Sequence, residues 1–444
     1  MASGLTFDNV WANPLCSPTR ATVISGKYGV STNVLNVQEL STLALSETTI
    51  FEYLQQSNSG YDASVIGKWH LGGEAPTLTD PNDQGVPHYT GLLSGGVQSY
   101  FNWMQTTDGV QAMNGSYITQ VLTDSALAWI NTRTEPWFCW LAYTAPHAPL
   151  HRPPLFMHTQ GPLSTDPDSI SAHPLPYFMA MIESLDFQLG RLLDSIPPEV
   201  LSNTVIIFIG DNGTDGPVIQ APYTTERAKG SLYEGGVRVP LVITGPGITR
   251  HNEREAALVN STDLFATIVE LTGHALPQYE QSKSLVPLFT EPGIAHRACL
   301  RTEVDGQMNG GYAFREARYK VIVKTNGNQE FYDLEADPYE MNDLLLGTLT
   351  GDQQLALDLL FAGCDITAGL QEHPSVGLLL RPVPVSTVLF VDGEDGNDYG
   401  ILSLDSRWVR HGKVQNGTVD VSGLPSGGYS LSIGTRHASF IKVE

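Results

Sequence analysis

Basic residues are scarce in this sequence: 24 Lys and Arg stand against 47 Asp and Glu in 444 residues, a formal charge of -23. A surface of that sign repels phosphate backbones and anionic headgroups, so neither nucleic acid nor a membrane surface is an expected partner. Cysteine is sparse as well. The four thiols, Cys16, Cys139, Cys299 and Cys364, have no CxxC spacing and no zinc-like grouping, which excludes a disulfide scaffold and a zinc module. No run of about 18 apolar residues is long enough to span a membrane. No basic stretch followed by an apolar one opens the sequence, and no internal repeat is evident. The length suits a large core and two to three domains. In so acidic a chain, any gathering of cations asks for an explanation.

One begins at residues 13–26, Asn-Pro-Leu-Cys-Ser-Pro-Thr-Arg-Ala-Thr-Val-Ile-Ser-Gly. Ser17 followed by Pro18 predicts a helix start, since the hydroxyl caps open N–H groups and proline needs no donor in a first turn. Cys16 then sits at the helix mouth, Arg20 can point back to the same place, and Gly26 is a natural stop. A helix N-terminus with an arginine makes an anion site. An inert buried thiol is the competing reading of Cys16.

Four later stretches bring chemistry to strand ends. Residues 61–66 predict a strand running into Gly67-Lys-Trp-His-Leu-Gly72, in which Lys68 and His70 share one side and Trp69 and Leu71 the other. An exposed lysine beside a core histidine is the alternative there. Residues 137–143 predict a buried parallel strand that ends in a loop where Pro146 and Pro149 restrict His147. The position is the ligand crevice of an α/β sheet. His151 and Arg152, four and five residues on, read as surface residues of a polar loop, with substrate contact just outside the centre as the alternative. Residues 203–209 are the most apolar strand and lead into Asp211-Asn212-Gly213, either a plain turn or two adjacent oxygen ligands suited to a hard cation. Lys229 opens a glycine-rich loop, 229–240, ahead of a strand at 241–244. Glu234 and Arg238 within it read as a structural pair.

The remaining stretches frame these. Helices are predicted at 47–55, 117–132, 177–193 and 262–271. Residues 73–115 show no convincing periodicity and read as insertions over the site. From about 294 the texture changes to short antiparallel strands and a helix near 352–362. Residues 374–384 read as linker, and 402–444 as a small β-sandwich.

The pattern Cys16-x-Pro18-x-Arg20 followed by Ser25-Gly26 resembles the signature of type I, formylglycine-dependent sulfatases of the alkaline phosphatase superfamily. The elements around Lys68 and His70, Pro146-His147-x-Pro149, Asp211-Asn212 and Lys229 follow in that family's order. The resemblance runs from Gly4 to about Ala362. It implies an α/β fold with a mostly parallel central sheet flanked by helices, and a small antiparallel α+β subdomain after it. It also implies hydrolysis of sulfate esters, of carbohydrate or aryl type. Cys16 would be oxidised by a maturase to formylglycine, whose hydrated aldehyde is the nucleophile. Arg20 would hold the nucleophile and the cation-facing oxygens, and Lys68 and Lys229 would neutralise charge on the sulfuryl oxygens. His147, alone or with Lys229, would protonate the leaving oxygen, and His70 would take the proton from the second hydroxyl that lets sulfate go. Asp211, Asn212 and the oxygens of residue 16 would bind calcium, with magnesium the alternative. The family also places two adjacent aspartates, both metal ligands, on a strand ahead of Gly4. The sequence holds no counterpart, so the expectation is a catalytic domain over 1–293 that lacks its first strand. A C-terminal subdomain at 294–365, a linker at 366–385 and a β-rich tail at 386–444 complete the expected division.

The tail resembles the sorting domain of proteins exported by the Bacteroidetes type IX system, with a generic accessory β-domain as the alternative. A secreted, periplasmic or cell-surface location follows from that. Two other functions stay open: a non-catalytic sulfatase-like protein that binds anions or glycans, and a phosphonate or phosphodiester hydrolase of the same superfamily.

Overall fold

The computed structural model describes residues 4–306, 310–364, 380–381, 386–391, 396–403, 408–433 and 436–442. The chain divides into two units. The first comprises 1–313, 322–328 and 338–340, and the second comprises 314–321, 329–337 and 341–444. Most of the expected linker lies outside the described residues.

In the first unit the polypeptide runs through β1 (Leu5–Trp11), α1 (Cys16–Ser25), α2 (Ile50–Gln56) and β2 (Asp62–Lys68). Then come β3 (His88–Leu92), β4 (Trp103–Thr107), β5 (Val110–Asn114), α3 (Ile118–Ile130) and β6 (Trp137–Ala142). After α4 (Pro174–Ser195) the chain forms β7 (Ile206–Ile209), β8 (Leu241–Thr244), β9 (Glu253–Asn260) and α5 (Asp263–Leu271). Two sheets result, ordered β7-β8-β1-β9 and β5-β4-β3-β2-β6. Both are mixed: β1 runs parallel to β9 and antiparallel to β8, and β2 runs parallel to β3 and β6 while β4 runs antiparallel to β3 and β5.

Packing follows from the alternation of side chains. On β1, Leu5 and Phe7 enter a core shared with Ile24 of α1, Phe51 of α2, Leu241 of β8 and Phe265 of α5. A second core gathers Ile66, Leu92, Tyr100 and Trp103 against Ile118 and Leu122 of α3 and Met181 of α4. Helix α1 lies wholly inside, all ten residues buried, so its hydroxyls bond within the protein. Thr22 Oγ1 donates to Thr19 O and pairs with Ser261, and Ser25 Oγ donates to Ala21 O. Gly26 ends the helix in the left-handed conformation, φ 68°, its N–H returned to Thr22 O.

Several expectations change. Helix α1 begins at Cys16 with Leu15 as the N-cap residue, so Ser17 lies inside the first turn and its hydroxyl is buried without a partner. Thr19 takes over, its Oγ1 accepting from Asn13 N at 2.9 Å and donating to Leu15 O. Residues 73–115 are not mere insertions, for β3, β4 and β5 extend the sheet of β2. Among the described residues β6, expected to be buried, and the apolar β7 are the outer strands of their sheets and are only partly covered, Phe208 being 39% exposed. Strand β7 also runs antiparallel to its neighbour β8. Glu234 and Arg238, read as a structural pair, each have a partner elsewhere: Glu234 accepts from Trp11 Nε1 at 2.9 Å, and Arg238 Nε donates to Asp8 O at 3.0 Å.

Strands at Leu300–Val304, Gly311–Arg315, Tyr319–Lys324 and Gln329–Asp333, and a helix at Gly351–Cys364, answer to the short strands and helix read from the sequence. In the second unit, Leu389, Ile401, Val419, Leu431 and Phe440 close a separate core between short antiparallel sheets. Tyr429 OH returns to Pro425 O at 2.9 Å, which locks one corner of that tail.

Candidate active site

A cavity of about 230 Å³ opens at the start of α1, with Cys16, His70, His147 and Lys229 in its wall beside Leu15, Val37 and Gly95. Cys16 Sγ lies 3.2 Å from His70 Nδ1. Lys68 and Arg20 stand behind, both buried. The Arg20 guanidinium donates to Lys68 O, pairs with Asp211 Oδ2 at 3.4 Å, and lies 5.7 Å from the ring centre of Trp140 on β6. The structure therefore brings together Cys16, Arg20, Lys68, His70, His147, Lys229 and Asp211.

Lys68 is the last residue of β2, and beyond it the chain turns instead of continuing extended. His70 has φ 58° and donates its N–H to Leu93 O at 3.0 Å. Trp69 and Leu71 enter the core, as alternation foretold, while the turn delivers His70 to the cavity. His147 stands on a tight turn, its N–H on Thr144 O at 3.0 Å. Its Nδ1–H donates to Ala148 O at 2.8 Å, since a carbonyl can only accept. Nε2 is left as the nitrogen free for chemistry. Lys229 is fixed by its N–H to Thr214 O at 2.9 Å.

Three cations around one carboxylate set the protonation states. Burial, followed by Lys68 and Arg20, pushes His70 down to about 2, and burial, Lys68 and Lys229 push His147 down to about 4. Burial also lowers Lys68, with Arg20 and Lys229 adding to it and residue 16 and Asp211 opposing. For Asp211 burial acts upward, but Arg20, Lys68 and Lys229 outweigh it and hold the carboxyl below its usual range. The pocket is short of negative charge, the state in which a small anion is bound well.

Asn212 also lines a second cleft, of about 410 Å³, with Asp8, Arg238 and Arg254. Its Oδ1 is buried without a hydrogen-bond partner, while Nδ2 donates to Gly213 O. An orphaned amide oxygen next to a carboxylate is a donor pair that suits a hard cation. It is not a full set: calcium takes about six to eight oxygens, and among the described residues no cluster of three His, Cys, Asp or Glu could hold a metal. The residues present thus fit a divalent cation only in part.

His151 is not a surface residue. It stacks on Tyr100 with ring centres 4.1 Å apart, donates from Nδ1 to Pro149 O, and meets Tyr117 OH at Nε2. Burial pushes it down to about 4. Sequence reasoning also missed Gly95, where an added Cβ would come 2.3 Å from the His70 ring. The pair Gly95-Gly96 was the only signal, a place where backbone comes close to something.

Comparison with known proteins extends this picture. A family model described as Sulfatase matches residues 1–274, and one described as N-sulphoglucosamine sulphohydrolase, C-terminal, matches residues 227–356. Arylsulfatase G of Rattus norvegicus is 25% identical over 373 residues, 70% of this chain and 67% of that protein. Arylsulfatase J of Mus musculus is 25% identical over 291 residues, and the chain spans 47% of its length. Among solved structures, Ps i-CgsB in complex with k-i-k-neocarrahexaose superposes with a TM-score of 0.66 at 22% identity, covering 81% of this chain and 83% of that one. BT4656 in complex with its substrate D-glucosamine-2-N,6-O-disulfate gives 0.65 at 21% identity, covering 81% and 90%. At these identities the two structures speak for the fold. With a family model matching more than half of its length, the chain belongs to the sulfatase family of sulfuric ester hydrolases, within the alkaline phosphatase superfamily.

Proposed function

We propose that this protein hydrolyses sulfate esters, of a sulfated glycan or small molecule, at the cavity beside Cys16. The observation that carries the reading is the meeting of Cys16 Sγ and His70 Nδ1 at 3.2 Å in a cavity shared with His147 and Lys229 and backed by two buried cations. Formylglycine made from Cys16 by a maturase would supply a hydrated aldehyde, with one hydroxyl to attack sulfur and a second through which sulfate is released. The chain's own groups do the rest. Arg20 orients residue 16 and, with Lys68 and Lys229, offsets charge that grows on the sulfuryl oxygens. His70 accepts a proton from residue 16. His147 is neutral in the empty pocket, and a bound sulfate ester near Lys68 and Lys229 raises its affinity for the proton that its Nε2 then passes, with Lys229, to the leaving oxygen.

Asp211 and Asn212 would hold a divalent cation, calcium or magnesium, which polarises the ester when bound. The remaining donors would come from a segment that pairs with the open edges of β6 and β7. Arg20 reaches both places, through Trp140 on β6 and Asp211 just past β7. The two aspartates that the resemblance puts on a strand ahead of Gly4 suit that position. We place the catalytic domain at 1–293, the α+β subdomain at 294–365 and the β-rich tail at 386–444. A glycan substrate draws support from the neighbours that bind a carrageenan hexaose and a glucosamine disulfate. Export is supported by Cys299 and Cys364, both disulfide-bonded, and no helix among the described residues is long and apolar enough to cross a membrane. A type IX sorting role for the tail rests on the resemblance alone.

The test is release of inorganic sulfate from aryl and sugar sulfates by matured protein, with the matching phosphate esters and phosphonates in parallel. Preference for phosphorus would favour the phosphonate or phosphodiester hydrolase. Binding of sulfated sugar without turnover would favour the non-catalytic reading, which the short donor set at Asp211 and Asn212 also suits.

A further inference from the structure

We infer that Tyr100 is a positioning residue for His147, its hydroxyl holding the turn that carries the imidazole. Tyr100 is 1% exposed, and its OH donates to His147 O at 2.7 Å. The residue is a fixed post. Ile118 N, at the start of α3, donates to Tyr100 O at 2.9 Å, and the ring packs 4.1 Å from His151 and 6.2 Å from Tyr117. Tyr117 OH in turn bonds Ser184 Oγ of α4 at 2.9 Å. The turn at 144–151 is therefore gripped at both ends and in the middle: Thr144 O receives His147 N–H, His147 O receives the Tyr100 hydroxyl, and Pro149 O receives His151 Nδ1–H.

The stretch that ends at Tyr100 touches the other histidine too. Leu93 O accepts the His70 N–H, Gly95 lies against the His70 ring, and Gly96 has its Cβ direction 3.2 Å from His147 Cε1. Residues 93–100 thus form one strap across both imidazoles, and among the described residues the Tyr100 hydroxyl is its polar hold on His147. Near-attack geometry is sensitive to sub-ångström slack in such supports. The inference rests on the proposed role of His147 as the proton donor to the leaving oxygen.

Tyr100→Phe removes one oxygen and leaves the packed ring. On sulfate esters of poor leaving alcohols, where protonation limits the rate, kcat should fall about tenfold with KM within about twofold. On an aryl ester with a good leaving group kcat should stay within about twofold, because protonation matters little there. Histidine side-chain NMR gives a reading that needs no turnover. In the wild type His147 should show one tautomer, Nδ1–H, and in the variant a mixture. A mixture in the variant alongside a wild type that releases no sulfate would uphold the positioning of His147 and sink the sulfatase reading. An unchanged His147 tautomer, or equal loss of kcat on both ester classes with a lowered melting temperature, would overturn the inference.

Discussion

Acid should destabilise the catalytic unit partly through His147, and the structure sets the size of the effect. The ring is held at about 4 against an ordinary 6.5, first by burial and then by Lys68 and Lys229. With the folded value below the unfolded one, the neutral ring's contribution is fully present above about pH 6.5 and is lost as pH falls toward about 4, because the unfolded chain takes up its proton first. A shift of about two and a half units corresponds to about 3.4 kcal/mol at about 1.36 kcal/mol per unit. The ring opens partly to the cavity, so solvent screening reduces this to about 1–2 kcal/mol. His147→Asn removes the titrating group, and its stability relative to wild type should rise by that amount between about pH 7.5 and about pH 4. Urea unfolding read by tryptophan fluorescence suits the measurement, since six of the seven tryptophans precede residue 141. His151, also depressed, is present in both proteins and cancels; His70, which His147 helps to lower, is held at about 2, below the window measured. Inorganic sulfate bound between the lysines should narrow the difference by favouring the protonated ring. Wild type and variant losing stability in parallel across the window would refute the electrostatic account of this pocket.

Cys16→Ala should abolish sulfate release from a protein that otherwise hydrolyses sulfate esters, with little change in its urea midpoint; residual turnover above background would remove residue 16 from the mechanism. Asp211→Asn takes away the carboxylate that pairs with Arg20, so calcium measured calorimetrically should bind at least about tenfold more weakly. Equal affinity would place the cation elsewhere. Gly95→Ala puts a methyl 2.3 Å from His70 Cε1, which should force the ring from Cys16 and lower stability by about 1–3 kcal/mol. A neutral outcome in unfolding experiments would mean that the strap yields more easily than its packing suggests.

Local order made much of this protein readable in advance. The hydrophobic periods at Ile118, Leu122 and Ala126, the glycine stop at Gly26, and the apolar runs at 137–142 and 206–209 are short-range signals that survive any tertiary context. So are the chemical groups left at strand ends, because a strand's exit is marked by the turn residues that follow it. What escaped were properties set by partners distant in sequence. Whether β6 and β7 lie inside or at the rim depends on which strands pair with them, and their residues alone say only that they are apolar. His151 reads as polar loop until Tyr100 and Tyr117 are placed around it. Residues 73–115 lack strong periodicity because β4 and β5 form an outer hairpin with one exposed strand, where little burial constrains the side chains.

By itself the sequence determined the chemistry on offer: a thiol next to a helix start, three cations and two histidines in an otherwise acidic chain, and an Asp-Asn pair beyond an apolar strand. Tertiary structure alone decided how those groups meet. The turn at His70 brings its Nδ1 to Cys16 Sγ, Arg20 is drawn to Asp211 across 191 positions of sequence, and the Asn212 amide oxygen is buried without a hydrogen-bond partner. The physical reason is range. Helix starts, caps and strand runs are written in contacts a few residues apart, whereas charge, burial and the pinning of His147 by Tyr100 arise only when segments far apart in the chain are packed against one another.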